Sequence, residues 1–161
     1  MKGFSIIIPV KEINDYLRES IPHLLALDYN NYEILILPNE DSPSLEPEFM
    51  DERVKIIASG VVSPAIKRDM GAEQAKYEYL AFLDDDAYPS PEWLKVAENI
   101  FAKKNMAALG GPGMVPPDAS KKEVVSGIFY ETFIGGGGLS YRYRPVPEGF
   151  YVKDYPSVNR I

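Results

Sequence analysis

The sequence predicts an α/β domain with a mostly parallel sheet flanked by helices, on three observations. Short apolar runs alternate with amphipathic helical segments in the order β-α-β-(α)-β-α-β-α-β, the order of parallel strands joined by right-handed crossovers. The first run, Phe4 to Val10, is nearly continuous and rich in isoleucine, as in a strand buried on both faces. A later run, Tyr79 to Leu83, empties directly into Asp84, Asp85 and Asp86. Open α/β sheets bind ligands beyond the carboxyl ends of their strands, which is where this acidic triplet falls.

Each element has a local reason. Phe-Ser-Ile-Ile-Ile-Pro-Val, residues 4 to 10, is the first strand. Asn14 is an N-cap, and a helix is expected from Asp15 to Leu27, its apolar stripe made by Ile13, Leu17, Ile21, Leu24 and Leu25. Pro22 falls inside that pattern and predicts a kink. Tyr32 to Leu37 is the second strand, followed by the polar loop Pro38-Asn39-Glu40-Asp41-Ser42-Pro43. A helical turn is expected within 46–52, a third strand over 54–58, and a helix from Ser63-Pro64 to about Lys76. The strand at 79–83 comes next. Ser90 then caps a helix that starts at Pro91 and runs to about Lys104.

After a short strand expected over 106–109, the character changes. Gly110-Gly111-Pro112-Gly113 breaks the chain, and Ser120 with Glu123 reads as a capping box opening a helix to about Ile134. The four glycines 135–138 are expected to form no regular element. Tyr141-Arg142-Tyr143-Arg144 alternates as a strand does, and 151–154 reads as another.

Composition narrows the function. The chain has 161 residues, 45% apolar and 25% charged, within the range of one soluble domain with a core. A net charge of -7 argues against a nucleic-acid partner, which calls for a basic face. With no cysteine and a single histidine, His23, disulfides, thiolate nucleophiles and zinc-thiolate or histidine-cluster sites are excluded. No apolar run approaches the roughly 20 residues needed to span a bilayer, and no leader is visible before Phe4. The expected location is the cytoplasm.

The acidic triplet carries the chemistry. Along an extended chain Asp84 and Asp86 point the same way and Asp85 the other. Two carboxylates aimed at one spot repel unless a cation lies between them, and hard Mg²⁺ or Mn²⁺ takes such oxygens together with substrate phosphates. The plain alternative is a solvated acidic turn. It is weakened by the apolar strand before the triplet and the Pro-Ser-Pro helix start after it.

Taken together, Ile-Ile-Ile-Pro-Val-Lys-Glu (6–12), Glu-Ile-Leu-Ile-Leu (33–37), Lys-Arg-Asp-Met-Gly (67–71) and Glu-Tyr-Leu-Ala-Phe-Leu-Asp-Asp-Asp (78–86) resemble the family 2 glycosyltransferases over essentially the whole chain. The resemblance implies a GT-A, Rossmann-like fold and transfer of a sugar from a nucleoside-diphosphate sugar, with a UDP-sugar favoured, to a saccharide or lipid-linked acceptor. It implies a single domain cut short by the end of the chain. Residues 1–110 would be the nucleotide-sugar-binding half and 111–161 the start of the acceptor side, with any membrane association lying beyond residue 161. Carried over, the base and ribose lie against Pro9, Val10 and Glu12 and the loop with Asn39 and Glu40. Lys67 and Arg68 add positive charge for the phosphates, Asp84 and Asp85 lie near the donor, and Asp84 and Asp86 form the Asp-X-Asp motif that holds a divalent metal.

Two positions depart from the family pattern. Pro38 stands where an aspartate commonly contacts the base, leaving Asn39 to take over, and Asp69 stands where asparagine is common. Inverting transfer needs a carboxylate base. Glu131, Glu148 and Asp154 match no motif for it, so no catalytic residue is assigned. A non-catalytic nucleotide-binding module is the alternative. A phosphoacceptor domain fits less well, because it draws its aspartates from separate strands.

Overall fold

The structure, a computed structural model, describes residues 2–41, 46–87, 89–103, 106–116 and 119–144. It divides into two compact units, Met1–Met106 and Ala107–Ile161.

The first unit holds a four-stranded sheet, β1 (Phe4–Pro9), β2 (Tyr32–Leu37), β3 (Val54–Ile56) and β4 (Tyr79–Phe82), in the order β3-β2-β1-β4. Every pairing is parallel: Phe4 lies opposite Tyr32 on one side and Tyr79 on the other, and Ile34 opposite Val54. β1 is therefore central, and its all-apolar stretch is explained by burial on both faces. Ile6 and Ile8 pack with Leu17, Ile21 and Leu24 of α1 (Asp15–Leu25) and with Leu94 of α3 (Trp93–Lys103). Ile7, Leu35 and Leu37 face the other way, with Met70 and Ala72 of α2 (Pro64–Gln74). Each fully buried Leu or Ile contributes roughly 1.5–3 kcal/mol, so this two-sided core holds the strand ends, and the loops they carry, in fixed positions.

Two polar residues interrupt the α2 face. Ser5 donates to Glu33 at 2.7 Å; both are buried. Glu33 also accepts from Lys55 Nζ at 2.8 Å and from the Lys76 backbone N–H, while Ser5 Oγ accepts from the Tyr77 N–H. Burial pushes the Glu33 carboxyl up, but the bonds from Lys55, Ser5 and Lys76 outweigh it and leave the pKa lowered. The network fastens the entry to β4 at the amino end of the sheet, opposite the acidic turn.

The local signals form caps as expected. Asn14 Oδ1 accepts from the Leu17 N–H at 2.9 Å, and Ser63 caps α2 with Pro64 at its first position. Pro22 lies within α1, which continues to Leu25. The turn near 46–52 is a 3-10 helix, Pro47–Met50. β3 ends at Ile56 and α2 at Gln74, each two residues before the expected limit. α3 starts at Trp93 and not Pro91, because 91–92 form a turn closed by the Trp93 N–H on the Ser90 carbonyl. The strand expected over 106–109 is absent: no strand joins beyond β4 among the described residues, and Ala107 and Ala108 offer little side chain to pack.

In the second unit, α4 (Lys121–Glu131) begins with the capping box of Ser120 and Glu123 and ends before the expected Ile134. Thr132 caps a further turn, α5 (Phe133–Gly136). The glycine run is thus regular, contrary to expectation: Gly135 and Gly136 are helical, and a 3-10 helix runs from Gly137 to Tyr143. Glycine is required at 137, where φ is 55°. The same 3-10 helix replaces the strand expected over 141–144. The Arg142 carbonyl accepts from Gly113, and the Tyr143 ring packs on Tyr130 at 5.3 Å, so the Tyr-Arg alternation meets no ladder. The strand expected over 151–154, and with it Glu148 and Asp154, lies outside the described residues. No helix among the described residues is long and apolar enough to cross a membrane.

Candidate functional site

From β1 the chain winds out through β2 to β3, then returns to lay β4 on the other side of β1. That reversal makes the β1–β4 crevice the topological switch point, the usual ligand position in an open α/β sheet. Four loops rise from this carboxyl edge: 10–14 after β1, 38–41 after β2, 57–62 after β3 and 83–87 after β4.

The acidic turn stands on the crevice. The register places Ile7 opposite Phe82, and the Leu83 N–H adds a bond to the Ile7 carbonyl at 3.2 Å. Asp84, two residues past Phe82, thus leaves the sheet level with Pro9. The strand stops at Phe82, so side-chain alternation does not govern the triplet. Asp85 and Asp86 form a turn instead, with the Ala87 N–H on the Asp84 carbonyl. Asp84 accepts from Arg68 Nη2 at 2.8 Å with its side chain 67% exposed. Asp85 accepts from Asn14 Nδ2, while Asp86 is exposed. One asparagine therefore caps α1 and moors the acidic turn, a role that nothing in the triplet itself announced.

Lys67 and Arg68 part company. Arg68 pairs with Asp84 at the crevice. Lys67 does not: it is only 2% exposed, and its ammonium donates to the Val10 carbonyl (2.6 Å), the Leu37 carbonyl (3.0 Å) and Asn39 Oδ1 (2.7 Å). The expected direct role at the phosphates is corrected to one beneath the loops. The cause is helical geometry. Gly71, four residues on and on the same face, approaches the sheet so closely that an added Cβ would lie 2.6 Å from Ile7 Cγ2. Lys67 is thereby drawn over the ends of β1 and β2. Burial lowers its pKa, as for any ammonium taken from water.

The other expected contacts fall along the same edge. Pro9 and Val10 are buried, so the backbone is what they offer a ligand. Glu12 and Glu40 are exposed beside them and Asn39 is half-buried. The Asn39 N–H donates to the Lys11 carbonyl at 3.0 Å, and its own carbonyl accepts from Gly60 at 3.0 Å. Ser59 donates from both its N–H and its hydroxyl to the Pro38 carbonyl. The loops after β1, β2 and β3 are thus one hydrogen-bonded rim. Among the described residues no cluster of three or more metal-ligating side chains forms. Asp84 and Asp86 are two exposed carboxylates on one turn, an oxygen donor set that suits a hard divalent ion completed by a ligand's own oxygens.

A parallel sheet with helices on both faces and an acidic turn at its switch point is an open α/β architecture with a candidate ligand site at its carboxyl edge. Comparison with known proteins places it further. The profile of glycosyl transferase family 2 matches residues 5–152, and the chain belongs to that family. An uncharacterized glycosyltransferase of Haemophilus influenzae is 31% identical over 118 residues, 69% of this chain and 47% of that one. The glycosyltransferase GlyG of Streptococcus pneumoniae is 30% identical over 88 residues, 51% of this chain and 29% of its own. The chain therefore spans less than half the length of these relatives. Among solved structures, S. aureus TarS residues 1–349 matches with a TM-score of 0.59 at 20% identity, over 73% of this chain and 38% of that one. TarS with UDP-GlcNAc matches with a TM-score of 0.58, also at 20% identity. The fold is GT-A-like, as the sequence implied.

Proposed function

We propose that this chain carries the donor half of a glycosyltransferase site and binds a nucleoside-diphosphate sugar, UDP-linked by preference, together with Mn²⁺ or Mg²⁺. The observation that carries the reading is the pairing of Arg68 with Asp84 at the β1–β4 switch point, beside the rim formed by the 10–14 and 38–41 loops. Asp84 and Asp86 are the carboxylates that would hold the ion, and a bound ion would neutralise charge on the departing diphosphate. Arg68 adds a fixed, bidentate-capable cation for the same phosphates. Without an intervening cation, exposed carboxylates and a net charge of -7 repel such a ligand. The UDP-GlcNAc complex of TarS is consistent with this donor class. Inverting transfer to a saccharide or lipid-linked acceptor is the reaction proposed for the whole protein, and its base is assigned to none of the described residues.

Calorimetric titration of UDP with Mn²⁺ and with chelator is the test. Metal-dependent binding that Asp86→Ala largely abolishes is expected. Equal affinity in both conditions removes the metal role of the acidic turn, and a chain that binds no nucleotide under either condition removes the donor-site reading. Release of free sugar from a UDP-sugar by this chain separates a catalytic unit from a nucleotide-binding module.

A further inference from the structure

Lys67 heads the large, fully buried side chains, and no carboxylate is among its partners. An ammonium has three hydrogens and no acceptor. Here all three are matched: two go to backbone carbonyls at the ends of β1 and β2, the third to Asn39 Oδ1. Because Lys67 can only donate, the oxygen of the Asn39 amide must face it. The Asn39 backbone N–H and carbonyl are both tied into the rim. Its Nδ2 is the polar atom that no described residue engages.

We propose that Lys67 is a positioning residue that sets base preference through Asn39, by locking the side-chain amide so that it presents only N–H donors to the nucleotide base. This inference rests on the donor-site reading above. The end of β2 lies two strand spacings from the end of β4, roughly 10 Å, a distance that a nucleoside spans when its diphosphate sits at the acidic turn. A locked donor there complements a keto group and opposes an amino group. Uracil and cytosine differ in this respect at C4, where uracil has a carbonyl oxygen and cytosine an amine. The pocket accordingly favours UDP over CDP, and Lys67, which touches neither, maintains the preference.

The test is the ratio of CDP to UDP dissociation constants, measured by calorimetry with Mn²⁺ on the whole chain, for the parent, Asn39→Asp and Lys67→Met. The parent is expected to favour UDP about tenfold or more, since the wrong base sets N–H against N–H. Asn39→Asp keeps a partner for the Lys67 ammonium and so should fold, but it offers only acceptor oxygens, which oppose the uracil carbonyl and accept from the cytosine amine; its ratio should fall below one. Lys67→Met frees the amide to turn over and present either group, and should bring the ratio to within about twofold of one. General loosening of the loops weakens both nucleotides together and leaves the ratio unchanged. A parent ratio near one, or a preference that survives Asn39→Asp, overturns the proposal. Absence of binding by either nucleotide is a different result, which removes the donor site and this inference with it.

Discussion

Lys67 and Arg68 are consecutive in the chain, yet their charges end on different strands: Lys67 at the ends of β1 and β2, Arg68 on Asp84 beyond β4. One turn of α2 thus reaches across the carboxyl edge from β2 over β1 to the end of β4. The buried cation organises the rim while the half-exposed one addresses the crevice. Exchanging their roles by mutation should not be neutral. Lys67→Arg puts a larger, planar group into a space bounded by two backbone carbonyls, whereas Arg68→Lys keeps charge and loses the fork. We expect the first to lower stability by about 1–3 kcal/mol, read by denaturant unfolding. The second should weaken Mn²⁺–UDP binding several-fold with little change in stability.

The aspartates of the acidic turn should separate by readout. Asp86→Ala is expected to reduce metal-dependent affinity and barely move the unfolding midpoint, because the side chain is exposed. Asp85→Ala loses the Asn14 bond and should cost roughly 1 kcal/mol with a smaller effect on metal dependence. Equal losses of metal-dependent affinity in both variants would mean that the mooring and the metal role are not distinct.

Asn14→Asp keeps the capping oxygen but sets a carboxylate against Asp85. Two such groups in contact cannot both ionise freely, so one pKa rises. The variant should be destabilised at neutral pH, and the loss should shrink as pH falls toward the carboxylate range and a proton is shared. Asn14→Ser, which caps without the second charge, should show no such pH trend. Thermal unfolding across pH 4–8 checks both.

Gly71→Ala tests the close approach that buries Lys67. The added Cβ meets Ile7 and Leu37 in a packed core, and a loss of about 1–3 kcal/mol is expected. If α2 moves outward to relieve the clash, nucleotide affinity should fall as well.

Acid sensitivity should come from two carboxylates away from the site. Side-chain and backbone hydrogen bonds from Arg53 hold Asp51 down, to about 2, and Glu33 is also lowered on balance. Both are depressed in the folded state, so their contribution is complete above the unfolded carboxylate pKa of about 4. It is lost as pH falls through the folded values. Asp51→Asn and Glu33→Gln should each flatten the stability profile below about pH 4, as followed by urea unfolding at stepped pH.

Much of this was legible from residues alone. β1 and β2 could be read because apolar runs buried on both sides tolerate few alternatives, and Asn14, Ser63 and Ser120 could be read because caps are local. The acidic turn was located correctly, but its internal geometry was misread, since alternation fails where a strand ends at Phe82, two residues before Asp84. Lys67 was misread because a lysine is ordinarily solvated. The clue was its position one turn before Gly71, on the face that had to meet the sheet. The 135–144 segment was misread as well. A glycine run and a Tyr-Arg alternation look irregular and extended, respectively, until Thr132 caps one turn and Tyr143 finds Tyr130.

The pairing of β1 with two distant strands also sets a schedule. Phe4 is opposite Tyr32, 28 positions later, and opposite Tyr79, 75 positions later. At roughly 5–20 residues per second on the ribosome, β1 waits on the order of 4–15 seconds for its second neighbour to be synthesised. Until then Ile6, Ile7 and Ile8 have an open edge on one flank. A segment destined for full burial is for that interval an adhesive stretch of the nascent chain, in need of shelter from other chains.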